Sequence, residues 1–128
     1  MTWYAAHIVM YVQLKDKLQD RFPVWENIVL VKADSEDEAF AKAEQRGREE
    51  AGDDDGSFRW AGSPAVWVFA GVRKITSCES PEKRPADGTE VSFLEMEASS
   101  KEAIAKWLDG EAVAMKFTEK MRVAAPGK

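Results

Sequence analysis

Val29-Leu30-Val31-Lys32-Ala33-Asp34-Ser35-Glu36-Asp37-Glu38-Ala39-Phe40-Ala41-Lys42-Ala43 changes its hydrophobic period in mid-course, and that change decides the fold class. Up to Ala33 the run is aliphatic and β-branched and reads as a strand. From Ala39 onward the apolar and small residues Ala39, Phe40, Ala43 and Gly47 recur at helical spacing. Between them, Ser35-Glu36-Asp37-Glu38 has the S-x-x-E form of a capping box. In such a box the serine hydroxyl satisfies an orphan amide, and the glutamate returns to the serine's own amide. A helix is expected from about Ser35 to Ala51, stopping at Gly52.

Outward from this junction the chain divides into further segments. Trp3 to Leu14 reads as a strand, Leu14 to Asp20 as a polar connection, and Pro23 to Ala33 as a second strand. That strand should begin near Pro23 or lie at an edge, because proline cannot donate to a ladder. Asp53 to Pro64 is a loop, with Ser57-Phe58-Arg59-Trp60 as extra β structure inside it. Ala65 to Thr76 is a third strand, Ser80 to Gly88 a proline-bearing loop, and Thr89 to Ala98 a fourth strand. A second helix spans about Ser100 to Leu108, and Glu111 to Thr118 forms a fifth strand before a frayed tail, Ala125-Pro126-Gly127-Lys128.

A second S-x-x-E box, Ser99-Ser100-Lys101-Glu102, lies 64 residues after the first. At that offset Trp3, Ala6, Glu26 and Leu30 match Trp67, Ala70, Glu90 and Leu94, and Ser35, Glu38, Ala39, Ala41 and Lys42 match Ser99, Glu102, Ala103, Ala105 and Lys106. Convergent capping explains the later matches but not the tryptophans, which favours a duplicated β-β-α unit. The expected architecture is α+β: one domain over residues 1–128 with pseudo-repeat halves of about 1–64 and 65–128. Its antiparallel-rich sheet carries both helices on one face and gains a short C-terminal strand. Ala39, Phe40, Ala43 and Gly47 of one helix, and Ala103, Ile104, Trp107 and Leu108 of the other, are the expected core stripes.

Alternation along the strands separates two faces. Tyr4, Ala6, Ile8, Met10 and Val12, with Val68, Ala70 and Val72, suit packing under the helices. The opposite set is Trp3, His7, Val9 and Tyr11, then Trp67, Phe69, Arg73 and Ile75. Both sets are largely apolar, so alternation alone leaves the assignment open to inversion. A soluble monomer rarely exposes several contiguous aromatics. A second subunit, another protein, a ligand, or the chain's own Asp53–Pro64 loop or post-Gly110 segment should cover them.

Composition narrows the function. With 45% hydrophobic and 32% charged residues the chain belongs with soluble globular proteins. Its net charge of -5, from 18 Lys and Arg against 23 Asp and Glu, argues against nucleic-acid binding, which rests on phosphate neutralisation. The basic spots Arg73-Lys74 and Lys83-Arg84 are too small to reverse this. Cys78 is the lone cysteine, which excludes an internal disulfide. Met1-Thr2-Trp3-Tyr4-Ala5 lacks the basic start of a secretory signal, and Ile8–Val12 is too short to span a bilayer. Cytoplasmic residence without membrane association is expected.

Catalytic templates find little inventory. The one histidine is His7, so a nucleophile–histidine pairing depends on it, and a His7–Cys78 dyad would need adjacent strands in matching register. Zinc needs about four Cys or His ligands, more than the chain holds, and no phosphate-cradling glycine loop is present. Asp53-Asp54-Asp55-Gly56 places its acids consecutively rather than alternately, which reads as a solvated turn rather than a calcium loop. No metal or cofactor is expected.

Trp3-Tyr4-Ala5-Ala6-His7-Ile8-Val9, Ala33-Asp34-Ser35-Glu36-Asp37-Glu38-Ala39 with Lys42-Ala43-Glu44, and Trp67-Val68-Phe69-Ala70-Gly71-Val72 together resemble a bacterial domain-of-unknown-function family. Its members are short proteins with a W-Y-x-A strand, an S-x-E-E-A helix start and a W-x-F-x-G-V strand. The resemblance covers roughly the first 75 residues. It implies a bacterial, cytoplasmic protein and carries over no activity, cofactor or catalytic residue.

The expected function is a non-enzymatic binding domain, dimerising through the aromatic sheet face. Trp3, Tyr11, Trp67 and Phe69 are its anchors, and His7 and Arg73 supply polar specificity. The alternatives are a small-molecule pocket or atypical enzyme site on the same face, lidded by the Asp53–Pro64 loop, and an antitoxin or immunity protein whose acidic surface occludes a basic partner.

Overall fold

β-Branched and aromatic residues run from Thr2 to Leu14 without a proline or glycine, and this stretch forms the longest uninterrupted ladder partner of the fold. The computed structural model describes residues 1–78 and 85–119. Along the chain run β1 (Thr2–Leu14), β2 (Val24–Ala33), α1 (Glu36–Glu50), β3 (Arg59–Trp60), β4 (Ser63–Ser77), β5 (Met96–Glu97), α2 (Lys101–Leu108) and β6 (Lys116–Phe117). The fold is α+β. An antiparallel sheet has the order β2-β1-β4-β3, and β5 and β6 form a separate two-stranded ribbon. β2 starts directly after Pro23 and is also an edge strand, as the missing proline donor requires.

α1 begins as its capping box dictates, with one difference. Ser35 Oγ accepts the Glu38 amide at 3.1 Å, but Glu38 Oε1 takes the amide of Asp34, at 2.6 Å, rather than that of Ser35. The expected stripe Ala39, Phe40, Ala43 and Gly47 is buried. It packs on Tyr4, Ala6, Ile8 and Met10 of β1, Ala33, and Val72 and Ile75 of β4.

The pairing of β4 with β1 inverts its expected face, and two bulges shape the strand between. The β1–β4 register slips between His7 and Ile8 and again between Val9 and Met10, leaving Arg73 and Ala70 as extra residues. Each extra residue reverses the side-chain phase. Ile75, Val72, Phe69 and Trp67 therefore all pack on the helix side. Val68 lies opposite Tyr11 on the outer face, and Ala70 is exposed at its bulge. The expected faces had Trp67, Phe69 and Ile75 outside and Val68 and Ala70 inside; the two shifts cancel between Ile75 and Phe69, so that set is inverted as a whole, and the bulges keep Val72 on the helix side with it.

The second half does not repeat the first. Its helix is capped by Ser100, whose Oγ accepts the Ala103 amide at 3.1 Å, not by Ser99, so the caps do not share the 64-residue offset. The expected fourth and fifth strands shrink to β5 and β6, outside the main sheet. α2 buries Ala103 but leaves Ile104, Trp107 and Leu108 exposed, and it forms no extended packing with the sheet. Among the described residues α1 alone layers the helix side. The basic spot Lys83-Arg84, the first part of the proline-bearing loop and the terminal Ala125–Lys128 lie outside the described residues.

Candidate functional site

Over the middle of β1, the outer face of the sheet is covered from within the chain. Ala5 and His7, in mid-β1, have no exposed surface. Over them lies a strap, residues 91–93. The Val91 carbonyl faces Cys78 Sγ at 3.9 Å, Ser92 Oγ bonds His7 Nε2, and the Phe93 carbonyl accepts from Lys74 Nζ at 2.7 Å. The Lys74 ammonium also sits 3.5 Å from the Phe93 ring centroid. Of the two expected covers, the Asp53–Pro64 loop and the post-Gly110 segment, the latter contributes Glu119.

A polar network occupies this face. His7 Nδ1 donates to Glu26 Oε2 at 2.5 Å, so Nε2 of the neutral ring accepts from Ser92 Oγ. Arg73 Nε donates to both Glu26 oxygens at 2.9 Å, and its two Nη atoms reach Glu26 at 2.7 Å and Glu119 at 3.0 Å. Lys74 Nζ bonds Glu119 as well. Two carboxylates face two cations, and His7 stays neutral. Burial holds the His7 pKa below its ordinary value, outweighing the pull of Glu26. Burial works to raise Glu26, but hydrogen bonds from Arg73 and His7 hold it below the usual carboxylate value. The Lys74 hydrogen bond does the same for Glu119, while burial pushes the Cys78 thiol up. Among the described residues no buried side-chain nitrogen or oxygen lacks a partner.

Ser92–His7–Glu26 reproduces the bonding order of a nucleophile relay. Its setting fits a fastening: His7 is sealed from solvent, Glu26 is clamped by Arg73, and the nearest ammonium, Lys74, is already committed to Phe93 and Glu119. Cys78, the other suggested partner of His7, instead faces the Val91 carbonyl.

Of the six expected site residues, His7 and Arg73 meet, through Glu26. Trp3 lies beneath the Lys32 ammonium, 5.5 Å from the ring centroid, and Tyr11 packs edge-on against Phe22 at 5.7 Å. Trp67 and Phe69 belong to the other face. Sequence reading missed Glu26, Ser92, Lys74 and Glu119. Glu26 carried a signal, since it is the one acid in the second strand.

On the helix side a second arrangement forms. Trp67 stacks on Phe58 at 5.4 Å, Trp25 meets Trp67 edge-on at 5.0 Å, and Trp25 meets Trp60 edge-on at 5.6 Å. Backbone bonds of Gly52 to Trp67, N to O at 3.0 Å and O to N at 2.8 Å, dock the end of α1 beside β4. Gly52 has φ +134, a backbone that favours glycine. Met10, Trp25, Asn27, Glu50 and Trp67 line the resulting cleft, of about 280 Å³. The acidic run beside it is a turn: Asp53 bonds Lys15 and the Gly56 amide, and among the described residues no cluster fit for a metal occurs. No described helix is long and apolar enough to cross a membrane.

The family model described as Domain of unknown function (DUF4288) matches residues 3–92. The chain belongs to this family. The DUF4288 unit takes in the main sheet and α1 and ends on Ser92, the hydroxyl over His7, leaving β5, α2 and β6 beyond it. No curated protein and no solved structure matches the chain.

Proposed function

We propose that the chain is an interaction domain that forms a homodimer through β2. The observation that carries this reading is the strand itself. β2 is a ten-residue edge strand whose outward face presents Val24, Ile28 and Leu30 at 60, 46 and 44% exposure. Natural edges of this length are blunted by charge, proline or a covering segment. Here Glu26 is turned to Arg73, Lys32 is the strand's lone cation, and among the described residues no strand pairs with the outer edge. The exposed Phe22 and Phe93 extend the apolar surface, Phe93 lying next to the Ser92 that bonds His7, the ladder neighbour of Ile28. Two β2 strands related by a twofold axis would bury this strip isologously. The anchors differ from those of an aromatic face: aliphatic side chains of β2 replace Trp67 and Phe69.

Light scattering on the eluting protein across a concentration series tests the proposal. A mass near twice 14.3 kDa is expected. Ile28→Glu with Leu30→Glu should give a monomer with an unchanged far-UV spectrum. A wild-type monomer at every concentration, or a dimer indifferent to both substitutions, overturns it.

A further inference from the structure

We propose that the aromatic cleft at the C-terminal end of α1 binds a small organic cation, an alkylated ammonium or a guanidinium. Its walls, its charge and its place on the helix point the same way. Trp25 and Trp67, packed edge to face at 77° with Phe58 stacked on one face of Trp67, wall the cleft with indoles in different planes, and indole is the side chain whose π face attracts cations best. Met10 adds a polarizable thioether. Among the described lining residues Glu50 is the one charged group, and Asn27 supplies an amide oxygen. Glu50 is half exposed and its Arg46 partner stands 3.9 Å away, a long surface pair that leaves carboxylate capacity free. Glu50 is also the last residue of α1, where the helix carries its partial negative charge.

Size limits the ligand. A volume of about 280 Å³ holds roughly nine waters, enough for a quaternary ammonium head or a planar guanidinium with its stem. A free small molecule and a methylated or guanidinium-bearing side chain of a protein share this chemistry. The cleft opens on the helix side, away from the outward strip of β2, so neither proposal presupposes the other.

Tryptophan fluorescence and indole N–H chemical shifts, followed during titration with tetramethylammonium chloride, test the site on the full chain. Sodium chloride controls for ionic strength and tert-butanol, of similar shape, for apolar binding. The expected result is saturable binding of tetramethylammonium alone. Glu50→Gln should weaken it about fivefold and Trp25→Leu about tenfold, with circular dichroism confirming the fold of each. A short peptide carrying trimethyllysine, binding more tightly than tetramethylammonium, would assign the cation to a protein side chain; weaker binding would assign it to a free molecule. No saturable response to any of these cations, an equal response to tert-butanol, or full binding by both variants overturns the proposal.

Discussion

Gly47→Ala tests whether Phe69 of β4 lies on the helix side, against α1. Gly47 lies on the buried stripe of α1, and a β-carbon there would fall within 3.0 Å of the Cδ1, Cε1 and Cζ atoms of Phe69. Carbon contacts settle near 3.5–4.0 Å, so the ring would have to retreat by roughly 1 Å. Overpacking of this kind costs about 1–3 kcal/mol. Against it stands the intrinsic helix gain of glycine to alanine, about 1 kcal/mol. The net expectation is a loss of about 1 kcal/mol in the wild-type background. With Phe69→Ala already present no side-chain carbon meets the new methyl, and the same substitution should stabilise by about 0.5–1 kcal/mol. The coupling between the two sites is then about 1–3 kcal/mol. Urea unfolding of the wild type, both single variants and the double variant, followed by circular dichroism, measures it. Stabilisation by Gly47→Ala in both backgrounds, with no coupling, would refute the placement of Phe69 under α1.

The polar network makes two further predictions. Glu26→Gln removes the charge that receives Arg73 and His7, and should cost about 2 kcal/mol because His7 is fully buried and Arg73 only partly exposed; chemical denaturation checks it, and a loss below about 0.5 kcal/mol would show the network to be incidental. Stability should decline in two stages as pH falls. His7 has a folded pKa below its ordinary 6.5, so the unfolded chain takes up the proton first and stability is lost from about pH 6.5 downward. Glu26 and Glu119 have folded values below the ordinary 4.5, so their contribution is complete above that pH and lost as pH falls through the folded values. His7→Gln should abolish the first stage and keep the second. Stability rising between pH 7 and 5.5 would mean instead that His7 is held as an imidazolium.

Local chemistry was legible where it is set by neighbours in the chain. The Ser35 cap, the buried stripe Ala39–Phe40–Ala43–Gly47 and the long strands β1, β2 and β4 follow from side-chain period and capping, which act over a few residues. Pro23 marked where β2 begins because a missing amide is a local fact. The unread part depends on pairing across the sheet. Which side of β4 lies with Ala6 and Met10 is set by the pairing of Ile75 with Ala6 and of Phe69 with Met10, and no local signal of period carries that pairing, so Trp67 and Phe69 were assigned to the wrong face.

The candidate sites divide the same way. His7 and Arg73 stood out as polar residues within apolar strands, but Glu26, Ser92 and Glu119 reach them from up to 85 residues away, and only the folded sheet and strap bring them together. The cleft likewise joins Trp25 of the edge strand to Trp67 of β4 and Glu50 at a helix end. α2 shows the converse. Its bounds and amphipathic spacing were readable, yet Ser100 rather than Ser99 caps it and Ile104, Trp107 and Leu108 face solvent, because an apolar stripe states that a surface is available for burial while the rest of the fold decides whether anything is packed against it. By itself, then, the sequence determined secondary structure, capping and the α+β class. Register, face and the partners of each buried charge were decided by tertiary structure, since they arise from contacts between segments that propensity does not link.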